Sequence, residues 1–236
     1  MHYGIIAAGE GSRLVQEGVA LPKPLVGLNG EPMIGRLINI FLDNNAESVS
    51  VIVNEQMTEV REYLERLAPT LPVPLRLVVK STPSSMHSFH KLSRVMEGDG
   101  RFVLTTVDTI FRPGEFSRYV AAFEAAGPEL DGMMPATSFI DDEKPLYIDT
   151  DKEGFVTAFL DKPESDTRLV SGGIYGLTQK AFKVLDRCME RGVSRMRNLQ
   201  REMLVSGLRL KAYEFDKIVD VDHAGDIATA EAFLNE

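Results

Sequence analysis

The chain has a single cysteine, Cys188, so no disulfide can form within it. That residue lies in a helical pattern beside Met189 and reads as an inert packing residue. No run of about 18 or more apolar residues occurs, so no transmembrane helix is expected. The N-terminus enters a strand pattern directly, without the basic stretch, apolar core and cleavage site of a secretory leader. A cytoplasmic location is the natural expectation. Histidine is scarce: His2, His87, His90 and His223 do not recur at zinc-ligand intervals, which argues against a structural zinc. There is neither a Ser-His-Asp spacing nor a Cys/His cluster. Positive charge is also short, 26 Lys and Arg against 35 Asp and Glu, for a net charge of −9. So acidic a chain is poorly suited to general nucleic-acid binding, and neither nucleic acid nor membrane is expected as a partner. The oligomeric state is left open.

What is present suffices for a sizeable core: 236 residues, 44% of them apolar. One domain spanning 1–236 is expected. The apolar run Tyr3 to Ala8 reads as a buried strand. Met33, Ile34, Leu37, Ile38, Phe41 and Leu42 share one face of a helix that starts at Pro32 and ends at Asn44-Asn45. Ser48 to Asn54 alternates as a second strand, Met57 to Leu67 follows as a helix closed by Pro69, and Leu75 to Val79 is a third strand. This rhythm implies parallel strands with crossover helices, an α/β fold of three α/β/α layers around a mostly parallel mixed sheet. Ligands of such sheets bind beyond the carboxyl ends of the strands.

Gly9-Glu10-Gly11-Ser12-Arg13 lies at such an end, with Pro22-Lys23-Pro24-Leu25 behind it. Glycines let backbone N–H groups approach an anion, and Arg13 and Lys23 add fixed positive charge. A Walker loop is excluded because no Lys-Ser/Thr follows Gly11. A dinucleotide fingerprint is excluded because Leu14 occupies its third glycine position. Arg101 to Val107 is the clearest central strand and stops on Asp108, a carboxylate placed at the ligand crevice.

Ile6-Ala7-Ala8-Gly9-Glu10-Gly11-Ser12-Arg13-Leu14, then Pro22-Lys23, resembles the signature of the sugar-phosphate nucleotidyltransferases, and the resemblance runs from Ile5 to about Leu234. It implies a Rossmann-like nucleotide-diphospho-sugar transferase fold and transfer of an NMP group from an NTP to a sugar-1-phosphate or similar acceptor, with pyrophosphate released. Ala7, Ala8, Gly9, Gly11, Ser12 and Ser88 are then nucleotide contacts. Arg13 is implied to hold the β- and γ-phosphates and Lys23 the α-phosphate. Asp108 and Asp220 are implied as Mg²⁺ ligands, with Asp222 as the competitor for the second place. A hard ion suits carboxylates that lack nitrogen partners.

The remaining motifs depart from the family pattern in places. The base-reading loop keeps a proline in Thr82-Pro83 but has His87-Ser88 where a glycine pair is usual, and the alternative reading of Ser85 or Ser88 is a helix cap. A hairpin is expected from Leu146–Asp149 and Phe155–Leu160, turning at Asp151 to Gly154, within a substrate-facing region of about 140–176. Asp161-Lys162-Pro163 closes it, with Asp161 replacing the family's glutamate. The resemblance makes Asp161 a substrate contact and Lys162 a phosphate contact; composition alone gives a surface turn. Ser171-Gly172-Gly173 begins a glycine-bearing strand, and glycine inside a strand marks close approach of a ligand or another backbone. Gly173-Ile174-Tyr175 is similar to a Gly-Ile-Tyr that the family sets against the sugar, so the resemblance implies Gly173 as a substrate contact. Arg195, Arg197 and Arg201 are among the polar positions of a helix over Val193 to Val205, either a solvated face or a surface for a partner or an acidic ligand. Two other functions fit the pocket: a nucleotide-binding regulator without transfer activity, or a nucleotide-sugar glycosyltransferase. The latter usually carries Asp-x-Asp at the strand end, and Asp108-Thr109-Ile110 lacks the second acid.

Overall fold

The computed structural model describes residues 1–96, 100–140, 143–164 and 167–236. Residues 141, 142, 165 and 166, within the region of 140–176, lie outside the described residues. In chain order the elements are β1 (His2–Ala7), α1 (Ser12–Gln16), β2 (Gly27–Leu28), β3 (Glu31–Pro32), α2 (Met33–Asp43), β4 (Ser48–Val53), α3 (Thr58–Leu67) and β5 (Leu75–Val79). Then come α4 (Ser85–Ser93), β6 (Arg101–Thr106), β7 (Thr109–Ile110), α5 (Pro113–Ala125), β8 (Gly132–Thr137), β9 (Tyr147–Thr150) and β10 (Val156–Leu160). The chain closes with β11 (Leu169–Ser171), β12 (Ile174–Thr178), α6 (Lys180–Glu190), α7 (Met196–Val205), β13 (Leu210–Phe215), β14 (Val219–Asp220) and α8 (Ala224–Asn235).

The main sheet is ordered β10-β9-β11-β8-β12-β6-β1-β4-β5, with β13 joined to β8. Strands β5, β4, β1 and β6 are parallel neighbours, and β13 runs parallel to β8. Strand β12 is antiparallel to both β6 and β8, so β8 keeps the direction of β6. The β9–β10 hairpin forms as expected, turning at Gly154 with φ 84°.

Period-two alternation explains why the sheet is covered on both faces. In β1, Tyr3, Ile5 and Ala7 face the cluster built with α2, α3, α5 and α8, whereas Ile6 and Ala8 face the cluster of α4, α6 and α7. In the first cluster Tyr3 stacks on Phe41 with centroids 4.4 Å apart, and its hydroxyl donates to Asn44 O at 2.8 Å. Such an aromatic pair adds about 0.5–1.5 kcal/mol beyond its buried area.

Several boundaries differ from expectation. The cap of α4 is Ser84, whose Oγ pairs with His87 Nδ1 at 2.8 Å, so neither Ser85 nor Ser88 caps that helix. Helix α7 starts at Met196, because Arg195 takes φ 73° and breaks the helical path. Its Arg197 and Arg201 are not simply solvated: each reaches Asp161 Oδ1 at 2.8 Å. A short ribbon pairs Val219 with Ile110 and Asp220 with Thr109, drawing the C-terminal segment onto the end of β6.

Candidate active site

The site lies past the carboxyl ends of β1, β4 and β6. After Ala8 the backbone turns through Gly11 in the left-handed region, φ 61° and ψ 28°, and enters α1. A Cβ at Gly11 would stand 3.0 Å from the Cβ of Lys23, so strain and contact both favour glycine there. Lys23 opens a single 3-10 turn, Lys23–Leu25, set by the prolines on either side of it.

Lys23 Nζ is 2.6 Å from Asp108 Oδ2 and 2.6 Å from Asp222 Oδ1, and its side chain is only 10% exposed. Burial opposes the charge, but the two carboxylates outweigh it and raise the lysine pKa above its ordinary value. Burial also acts against ionised Asp222, but Lys23 and then Arg13 hold its carboxyl below the usual range. Arg13 Nη1 is 3.1 Å from Asp222 Oδ2, so one carboxylate joins both cations. Val221 N donates to Asp108 O at 3.0 Å, which fixes the two acid-bearing segments together.

Behind this cluster a cleft of about 630 Å³ is lined by Ala8, Gly9, Gly11, Ser12, Arg13, Lys23, Ser88, Asp108 and Asp222, among others. Its far wall is the loop from Ser81 to Ser85. The Asn54 carboxamide holds that wall to the glycine loop: it donates to Ala8 O at 3.3 Å and accepts from Ser81 Oγ and Gln56 N, each at 2.9 Å. Ser88 is 2% exposed, and its hydroxyl is paired with Thr82 Oγ1 at 2.6 Å, a brace within that wall. A smaller hollow of about 80 Å³ adjoins the cleft, lined by Thr137, Phe139, Glu143, Ser171, Asp220 and His223, and the two hollows share Arg13 and Asp222.

Of the residues expected at the site from the sequence, four do not line either hollow. Ala7 is buried on the α2 and α5 face of β1, and Ile6 lines the cleft in its place, because alternation along β1 reverses their facing. Asp161 is drawn to Arg197 and Arg201 of α7, which also binds the hairpin through Arg201 Nε to Phe159 O at 3.0 Å. Lys162 is exposed and makes no ion pair among the described residues. At Gly173 the close approach is made by the chain's own side chains: a Cβ there would lie 2.0 Å from Thr109 Oγ1 and 2.2 Å from Thr106 Oγ1. Asp220, by contrast, lines the smaller hollow and accepts the Thr109 hydroxyl at 3.0 Å.

Sequence reasoning missed Asn54, Asp222 as the partner of both cations, and Glu17. The last accepts from Ala224 N at 2.6 Å and pairs with His223 Nδ1 at 2.6 Å. An acid four residues after the loop arginine was the available signal.

The family model described as nucleotidyl transferase matches residues 4–236 of the chain. The bifunctional protein GlmU of Methanococcus maripaludis strain S2 is 23% identical over 247 residues, covering 98% of this chain and 54% of that protein. The chain thus spans about half the length of the curated relatives it matches along its whole extent. The 2-aminoethylphosphonate cytidylyltransferase of Lancefieldella rimae is 39% identical over 67 residues, 28% of this chain and 27% of that one. Among solved structures, the inositol-1-phosphate CTP transferase of T. maritima superposes with a TM-score of 0.81 at 15% identity, covering 100% of this chain and 96% of that one. A UDP-glucose pyrophosphorylase complexed with UDP-glucose gives 0.79 at 16% identity, covering 100% and 98%. At those identities the superpositions establish the fold, a Rossmann-like nucleotide-diphospho-sugar transferase architecture.

Proposed function

The chain belongs to the nucleotidyl transferase family, and from that premise we propose that it transfers an NMP group from an NTP to a sugar-1-phosphate or a similar phosphate acceptor. The observation that carries this reading is Lys23, buried between Asp108 and Asp222 in a nucleotide-sized cleft, with Asp222 also lining a smaller adjoining hollow. In the reaction an acceptor phosphate oxygen forms a bond to the α-phosphorus, the bond from that phosphorus to the β-bridging oxygen breaks, and pyrophosphate leaves. The nucleophile is already an anion, so no general base is required. Holding two repelling anions in line and neutralising their charge is the catalytic task.

Gly9 and Gly11 offer backbone N–H groups to the nucleotide. Arg13 binds the β- and γ-phosphates, and Lys23 contacts the α-phosphate as its charge develops. Both cations exchange Asp222 for phosphate oxygens when substrate enters. Lys162 binds the acceptor phosphate. It follows β10, where Leu160 pairs with Tyr147, so it leaves the sheet at the same end as Pro145, which lines the smaller hollow. Asp161, held by α7, fixes that end of the hairpin.

The acidic side chains at the site offer oxygen ligands only, which suits Mg²⁺. Among the described residues no group of three or more His, Cys, Asp or Glu is arranged to hold a metal ion, so on this reading the ion would take one or two carboxylates and draw its remaining ligands from the substrate phosphates and water. Asp108 and Asp220 would hold it, and it would neutralise phosphate charge. The test is pyrophosphate release from ATP, CTP, GTP, UTP and dTTP, each with a set of sugar-1-phosphates, inositol-1-phosphate and 2-aminoethylphosphonate, with and without Mg²⁺. Turnover with one pair supports the reading. Silence across the set, with nucleotide binding intact, would make the protein a nucleotide-binding regulator. A raised Mg²⁺ requirement in Asp222→Asn and not in Asp220→Asn would move the second ligand to Asp222.

A further inference from the structure

We propose that Glu17 is a positioning residue for the phosphate-binding loop, acting with His223 as a clamp between α1 and α8. The proposal rests on the nucleotidyl-transfer reading. The loop needs an anchor: Glu10, Arg13, Val15 and Gln16 are exposed, α1 is one short helix, and of its residues only Leu14 is buried. Glu17 supplies the second attachment, with Oε2 accepting from Ala224 N at 2.6 Å and Oε1 paired with His223 Nδ1 at 2.6 Å.

These contacts close a ring. Arg13 reaches Asp222 through its guanidinium. The residue after Asp222 is His223, which meets Glu17, and Glu17 N returns a 3.0 Å hydrogen bond to Arg13 O. The opposite side of the ring is itself rigid. Asp226 accepts from His223 N at 2.6 Å and from Asp222 N at 2.9 Å, locking the first turn of α8. The backbone that carries Arg13 is therefore set at both ends, by Gly11 against Lys23 and by Glu17 against α8. Glu17 touches neither hollow, so it acts on the nucleotide only through the place it gives Arg13.

The test compares Glu17→Ala and Glu17→Gln with the wild-type chain, using the nucleoside triphosphate that the wild type turns over fastest. Glu17→Ala is expected to raise KM for the triphosphate about tenfold, leaving kcat and the acceptor KM within about threefold, a loss of ground-state positioning. Glu17→Gln keeps an oxygen for Ala224 N and is expected to recover most of the loss. Amide exchange in the unliganded protein is the readout independent of activity: it should speed up over residues 9–17 in Glu17→Ala while the strands keep their protection. Wild-type KM and wild-type exchange in Glu17→Ala would overturn the proposal. Faster exchange throughout the sheet, with both KM values rising together, would also overturn it, by making Glu17 a general stability residue. If the wild type turns over no nucleotide, the transfer reading fails, and the exchange comparison still decides whether the clamp exists.

Discussion

Lys23 Nζ and Asp222 Oδ1 are 2.6 Å apart across 199 residues of chain. The contact puts the two ends of the sequence into one electrostatic unit, with Asp108 as the third member. Neutralising either acid leaves Lys23 a single partner, and removing the lysine takes the cation from Asp108 and leaves Asp222 with Arg13 alone.

In the proposed reaction Lys23 is a buried cation in contact with the transferred phosphate, and Lys23→Met removes it. On the proposed mechanism kcat should fall about 10²–10³-fold, the usual cost of losing one preorganised charge. Steady-state pyrophosphate release at saturating substrates measures it. A variant with near wild-type kcat would take Lys23 out of the chemistry.

Gly11→Ala places a Cβ 3.0 Å from Lys23 Cβ on a residue with φ 61°. A left-handed alanine costs about 1–2 kcal/mol, and an unfolding midpoint lower by a few degrees is expected in a chain of this size. Calorimetry with and without nucleotide should show a larger deficit for the liganded form, because the loop must also rebuild its N–H contacts.

Gly173→Ala is expected to destabilise the fold by about 1–3 kcal/mol through overpacking, because Thr106 and Thr109 already occupy the space of its Cβ. Urea unfolding gives the figure. Thr106→Ala combined with Gly173→Ala should recover part of it. A fully stable Gly173→Ala would mean that the glycine is kept for another reason.

The carboxyl of Asp161 is held below its ordinary value of 3.8 by hydrogen bonds from Arg201 and then Arg197. A depressed carboxyl lends stability above its unfolded pKa and loses it as pH falls through the folded value. The difference in melting temperature between wild type and Asp161→Asn should thus be flat above about pH 5 and shrink below about pH 4. A difference that instead grows on acidification would refute the arginine clamp on the hairpin.

Cys188 is 1% exposed, and burial pushes its thiol pKa up. The native protein should react slowly with an aromatic disulfide reagent, and one thiol per chain should appear with global unfolding. Fast labelling under native conditions would show that α6 opens locally.

The sequence analysis located β1, the glycine loop, β6 and Asp108 because each is written locally, as a periodic run or a motif at a strand end. Asp222 as the partner of Arg13 and Lys23 was not legible, since side-chain pairing between residues so far apart leaves no periodicity. The β7–β14 ribbon spans two residues per strand, too short for any alternation to register. Arg197 and Arg201 looked like a solvated helical face because their shared acid lies on a separate hairpin. Gly173 was read as a place where a ligand or another backbone comes close, whereas the groups that crowd it are threonine side chains that the local pattern does not single out.

The β7–β14 ribbon also gives the site a timetable. Translation at about 5–20 residues per second puts roughly 10–40 s between synthesis of Lys23 and of Asp222. Until Asp222 is made, the loop lysine has Asp108 as its one member of the acidic pair, and Arg13 lacks its Asp222 partner. A nascent chain that stalls before Val219 lacks Asp222 and the β14 side of the smaller hollow, so the ion-pair cluster around Lys23 is completed only as the last segment emerges.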